Sequence, residues 1–144
     1  MNVRFTVPGE PKGKGRPKFS KVGDYVKTRT PEDTVIYENL IKVMFQKACG
    51  NVRFADDEML GMDINAYYSI PKSASKKKIE MMRKGQLRPT KKPDMDNVLK
   101  VYADSLNKVL YRDDTQIVDA HVRKFYSDTP RVEVNVYKIA ERSF

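Results

Sequence analysis

Val3, Phe5 and Val7 alternate with polar neighbours between Asn2 and Pro8, the two-residue period of a half-buried strand. After Pro31 a different period takes over. Tyr37, Leu40, Ile41, Met44, Phe45 and Ala48 recur every three or four residues and stop at Gly50, which predicts a helix. Thr30-Pro31-Glu32-Asp33 stands in front of it and supplies an N-cap, a proline for the first helical position and acids for the first turn. Between strand and helix, Pro8 to Thr30 carries Gly9, Gly13, Gly15 and Gly23 with Pro8, Pro11 and Pro17, the composition of an extended loop or loose hairpin.

Further along, Leu60, Met62, Ile64, Ala66, Tyr68 and Ile70 alternate up to Pro71 and predict a long central strand. Ser73 to Lys84 suits a short basic helix capped by Ser73, stopped by Gly85 and anchored through Ile79, Met82 and Met81. Gln86 to Pro93 reads as a loop. Leu99, Tyr102, Leu106, Val109 and Leu110 mark the core face of a helix starting near Asp96, and Val118/Ala120/Val122 and Val132/Val134/Val136 alternate as two closing strands. The order is β-α-β-α-α-β-β: an α/β (α+β) fold with a small mixed sheet of about four or more strands and helices packed on it. At 144 residues it is expected to form a single domain, 1–144, with one core.

Charge changes this picture from a fold to a partner. The formal net charge is +9, with eight Lys/Arg against two acids in residues 1–30 and nine against one in residues 71–92; the rest of the chain is net acidic. Two basic blocks on a small domain point to a polyanion, and to nucleic acid first. The candidates for phosphate contacts are Lys12, Lys14, Arg16 and Lys18 in the first block and Lys76, Lys77, Lys78, Arg88, Lys91 and Lys92 in the second. A solvated loop accounts equally well for either block alone. Other classes fall away. No apolar run approaches the length of a membrane span, and MNVRFTVPGE lacks a leader's basic start and apolar core, so a cytoplasmic, nucleoid-associated protein without a membrane partner is expected. The single cysteine, Cys49, excludes an internal disulfide, and no Cys/His spacing suits zinc. Gly13 and Gly15 form no phosphate-binding loop ahead of a helix, so no nucleotide cofactor is expected. His121, alone in a strand, reads as structural.

The net acidic remainder is informative around Lys92-Pro93-Asp94-Met95-Asp96-Asn97 and Asp113-Asp114-Thr115-Gln116. Asp94 and Asp96 sit where a loop becomes a helix, so one can cap it while both face the same space. If the chain returns over that helix, Asp114 can approach its start, giving the oxygen-only ligand set that Mg2+ or Mn2+ prefers. Lys100 lies one turn after Asp96 on the same face. The competing reading is an exposed ion-pair stripe of Asp96, Lys100, Asp104 and Lys108, with a helix cap and a polar turn and no metal.

Lys92-Pro93-Asp94-Met95-Asp96-Asn97-x-x-Lys100, then Asp104-x-Leu106-Asn107, then Asp113-Asp114-x-Gln116-Ile117 closely resembles the signature of the RusA family of Holliday junction resolvases. The likeness extends to the basic loop Gly13 to Phe19 and the closing strand pair. It implies a homodimer of small mixed α/β subunits that cuts four-way DNA junctions with Mg2+, encoded by a bacterium, phage or prophage. By motif position it implies Asp94, Asp96 and Asp114 as metal ligands and Lys100 as the catalytic lysine. The interval from Lys100 to Asp113-Asp114 is one residue shorter than in the best-known member, so Asp113 is the alternative metal ligand of that pair. The expected activity is that of a crossover junction endodeoxyribonuclease in DNA recombination and repair. Its rivals are a basic DNA-binding protein without catalysis and a general flap or single-strand nuclease built on the same aspartates.

Overall fold

The computed structural model describes residues 1–15, 18–23, 25–29 and 31–140, with side chains for 1–15, 23 and 31–140. Among the described residues six strands appear: β1 (Asn2–Pro8), β2 (Lys18–Val22), β3 (Tyr25–Arg29), β4 (Leu60–Ser69), β5 (Ile117–Ser127) and β6 (Arg131–Lys138). β2 and β3 pair as a separate antiparallel hairpin, the loose hairpin expected of the glycine-rich stretch. The others form one mixed sheet in the order β1-β6-β4-β5, in which β6 is antiparallel to β1 and β4 and only β4 and β5 run parallel. Among the described residues there are also three α-helices, α1 (Glu32–Cys49), α2 (Lys76–Arg83) and α3 (Met95–Ser105), and a 3-10 turn at Asp114–Gln116. The mixed α+β class and the element order are those the periodicity predicts.

The alternation in β1, β4 and β6 puts Val3, Phe5 and Val7, then Met62, Ile64 and Ala66, then Val132, Val134 and Val136 on one face of the sheet. That face is buried under Tyr37, Ile41 and Phe45 of α1 and Val98, Val101 and Tyr102 of α3. A buried hydroxyl contact of 2.7 Å between Tyr37 and Tyr102 joins the two helices, so the polar ends of both rings are satisfied inside an apolar layer. Gly50 (φ +67°) and Gly85 (φ +75°) end α1 and the turn after α2 where expected.

Local details differ from the sequence reading. Pro31 occupies the N-cap of α1 and not its first helical position; Thr30 lies outside the described residues. The cap of α2 is Ser75, whose hydroxyl accepts from Lys78 N–H at 3.3 Å, so the helix starts later than Ser73. Leu106 caps α3, and Val109 and Leu110 belong to the turn after it. Ala48 is exposed. Val118 is 59% exposed and Ala120 is exposed too, because β5 is an edge strand and its pairing with β4 slips between Leu60 and Gly61, leaving Val118 as a bulge.

Candidate active site

Asp94 is in extended conformation at the N-cap of α3, and its Oδ1 accepts from Asn97 N–H at 2.9 Å. The preceding Lys92–Pro93 peptide is cis, and the Pro93 carbonyl accepts from the Tyr68 hydroxyl at 2.6 Å, tying the loop to the central strand. Burial, with the Asp94 charge nearby, pushes the Tyr68 phenol well above its ordinary value, so it remains a donor. Asp96 follows in the first turn, exposed. Both carboxylates therefore sit at the positive end of the α3 dipole.

At the other end of α3, Asp104 is only 18% exposed and meets two lysines at one oxygen. Lys14 Nζ is 2.6 Å from Oδ2 and Lys100 Nζ is 3.5 Å from it. Partial burial pushes the Asp104 carboxyl up, but the Lys14 hydrogen bond and charge outweigh it and hold its pKa below the usual Asp value. Asp114 is the neighbour of Asp104, and its own carboxyl is raised by burial, by Asp104 and by the charge of Asp113. Gln116 sets this placement. Its Oε1 accepts from the Arg112 and Asp113 N–H groups at 3.0 and 3.3 Å, while its Nε2 donates to the Ala55 and Glu58 carbonyls at 2.9 and 3.1 Å. The turn is thereby pinned to the segment that enters β4. Asp113 accepts from the Thr115 hydroxyl at 2.7 Å, which holds its pKa low and engages it in the local turn. A cavity of about 310 Å³ opens beside Asp114, between Leu99 and Ala103 of α3 and Ile117 to Ala120 of β5. The larger hollow, about 470 Å³ around Arg4, Asp63, Asn65 and Asn135, lies on the other face of the sheet and holds none of these aspartates.

A family profile described as Endodeoxyribonuclease RusA matches residues 8–137 of this chain. The chain belongs to the RusA endodeoxyribonuclease family. It is also similar to the uncharacterized protein YqaN of Bacillus subtilis (strain 168), 39% identical over 140 residues that cover 96% of this chain and 97% of that protein. The RusA match takes in the glycine-rich segment, both ends of α3, the Asp113–Gln116 turn and the closing strands.

Within this RusA chain the residues expected at the site fall into two groups along α3. Asp94 and Asp96 stand at its start; Lys100, Asp104, Asp114 and Asp113 gather at its second half and the turn beyond. Among the described residues, no three His, Cys, Asp or Glu side chains come together closely enough to hold a metal ion. What fits Mg2+ is the donor chemistry: carboxylate oxygens only, with the Asp114 carboxyl raised beside Asp104 and Asp113, a repulsion that a hard cation would relieve. The ion-pair stripe is not continuous, since Lys100 pairs with Asp104, the shorter bond of Asp104 goes to Lys14, and Lys108 lies beyond the helix at φ +64°.

The basic positions also separate. Lys76, Lys77 and Lys78 are exposed on the first turn of α2, where the helix dipole disfavours cations; helix stability does not account for them. Lys12, Lys91 and Lys92 are exposed. Arg88 is engaged instead, donating from Nε to the Lys124 carbonyl at 2.8 Å with its guanidinium 4.2 Å over Phe125. Arg16 and the Lys18 side chain lie outside the described residues. Cys49 is half-buried, its thiol raised by burial and donating to the Arg4 carbonyl at 3.3 Å, which makes it a poor nucleophile. Among the described residues His121 pairs with Asp119, at 3.6 Å. Sequence reasoning placed Asp104 in the family pattern but gave it no role in the site, and it did not link Lys14 to it. The available signal was the Gly-Lys-Gly alternation around Lys14.

Proposed function

We propose that this chain is a Mg2+-dependent, structure-selective endodeoxyribonuclease that resolves four-way DNA junctions by paired, symmetric nicks, in recombination and repair. One observation carries the reading. In a chain matched to RusA endodeoxyribonucleases over residues 8–137, Asp114 lies beside Asp104 with the ammonium groups of Lys14 and Lys100 around them. The family pattern assigns Asp94, Asp96 and Asp114 to Mg2+ or Mn2+, a set divided in this structure between the two ends of α3; the ion would supply a Lewis acid that offsets phosphate charge and acidifies water. Lys100 donates from Nζ to an oxygen of the scissile phosphate or to the departing 3′-oxygen. The basic segments grip the junction arms through phosphates, so branch shape dominates over sequence in recognition. The experiment is incubation of the protein with synthetic four-way, flap and linear DNAs and Mg2+ at a cytoplasmic pH. Paired nicks confined to the four-way substrate support the reading; equal cutting of flaps, or none of any DNA, defeats it.

Affinity depends on the exposed lysines. Log K for a junction is expected to fall with log salt by about 0.9 per phosphate neutralised, and Lys76, Lys77 and Lys78 changed together to Ala flatten the slope by roughly 2 to 3. Filter binding across a salt series measures it, and an unaltered slope would place α2 away from DNA.

A junction is cut in two strands related by a two-fold axis, whereas one 144-residue subunit carries a single candidate centre. An isologous homodimer provides two centres across that axis. Sedimentation of the free protein and of its junction complex is expected to give two copies; a monomer in both states that still makes paired nicks would refute it.

A further inference from the structure

The segment around Gly13 and Gly15 runs against the N-terminal turns of α1 and α3. A Cβ on Gly13 would stand 2.9 Å from Asn97 Nδ2 and 3.0 Å from Pro93 Cβ; one on Gly15 would stand 2.6 Å from Thr34 Oγ1 and 2.9 Å from Pro31 Cγ. Close approach, and not an unusual φ, makes both positions glycine. Gly15 N–H donates to Thr34 Oγ1 at 2.8 Å and fixes the far side of the loop. The lysine between the two glycines is thus delivered to the second half of α3, where its Nζ reaches Asp104 Oδ2 at 2.6 Å.

We propose that Lys14 is a second lysine of the reaction centre, held there by Asp104 as a positioning residue, and that with Lys100 it contacts the non-bridging oxygens of the phosphate being cut. This rests on the nuclease reading above. The geometry distinguishes Lys14 from an ordinary loop latch. Asp104 accepts a hydrogen bond from Lys14 and is ion-paired with Lys100, two ammonium groups that arrive from different elements, and it stands against Asp114. Each ammonium has three donors, and among the described residues Lys14 spends one, on Asp104. Its side chain stays 25% exposed, so donors remain for a ligand beside Asp114. A phosphodiester oxygen there meets two positive charges already oriented, which is how an enzyme stabilises charge that grows in the transition state. Lys76, Lys77 and Lys78 of α2, by contrast, are exposed, and on this proposal they contribute to affinity and not to the chemistry.

The test uses the full-length protein with a synthetic four-way junction. Single-turnover cutting with Mg2+ is compared with the dissociation constant in EDTA, and labelling of Lys14 by an amine-reactive reagent is followed by mass spectrometry with and without junction. Lys14→Met is expected to slow cutting about 10²-fold while affinity changes by only about threefold, and Lys14→Arg to restore most of the lost rate. Asp104→Asn slows cutting comparably with both lysines intact and raises Lys14 labelling in the free protein, and the junction shields Lys14 in the wild type. Lys14→Met cutting within threefold of an active wild type, or equal Lys14 labelling with and without junction, overturns the proposal alone. A wild type that binds the junction and cuts no DNA refutes the nuclease reading and this proposal with it.

Discussion

Asp94→Asn, Asp96→Asn and Asp114→Asn each lower junction cutting by roughly 10³-fold or more at saturating Mg2+, since a bound metal supplies several kcal/mol of transition-state stabilisation and every tenfold in rate is about 1.4 kcal/mol. Junction affinity in the same variants stays level or rises, because each change removes a negative charge that repels phosphate. The substitutions suit the sites. Asn remains a good N-cap, so Asp94→Asn keeps the contact to Asn97 N–H. Asp96 is exposed and makes no side-chain bond among those described. Asp114 sheds its charge contacts with Asp104 and Asp113. Loss of activity with an unchanged melting temperature therefore reports chemistry and not unfolding. A variant that cuts at near wild-type rate removes its residue from the centre.

Lys100→Ala is expected to slow single-turnover cutting about 10²-fold while the junction dissociation constant moves by less than about threefold. The side chain is 57% exposed and its bond to Asp104, at 3.5 Å, is the longer of the two that reach that carboxylate. An exposed i,i+4 pair contributes only a few tenths of a kcal/mol, so a purely structural role predicts a barely altered melt and unaltered rates. The two readings diverge in rate, not in stability. Equal single-turnover rates for wild type and variant would assign Lys100 to the helix surface.

Much of this architecture is legible in the chain because apolar period is a local signal. Val3/Phe5/Val7 and Met62/Ile64/Ala66 read as strands from their own neighbours, and Tyr37/Ile41/Phe45 as one face of a helix. Caps are less legible. Ser73 and Ser75 are both suitable, and the choice of Ser75 follows from which hydroxyl meets a free N–H at the helix start. Exposure in β5 was not legible either, since Val118 and Ala120 alternate like buried residues and only their place at the sheet edge leaves them in solvent. At the centre, Asp94 is recognisable as a cap because the loop and the helix adjoin it. The Lys14–Asp104 pair spans 90 positions and the Gln116 anchor to Ala55 spans 61, and no local pattern encodes partners so far apart.

β4 and β5 lie side by side and point the same way. A chain leaving Ser69 at the end of one must travel the length of the sheet before Ile117 can start the other, and parallel neighbours always require such a crossover. Residues 70–116 make that journey, and Asp94, Asp96, Lys100, Asp104, Asp113 and Asp114 all ride on it. Lys14 and the Ala55 and Glu58 carbonyls then have to find it from outside. β1 pairs with β6, from opposite ends of the sequence, so contact order is high and folding waits on loop closures that reward the chain late. A nascent chain released only as far as α3 lacks both Asp114 and the strands that complete the sheet. All the candidate residues are thus made before the last two strands, and the sheet on which α3 rests is completed only after them.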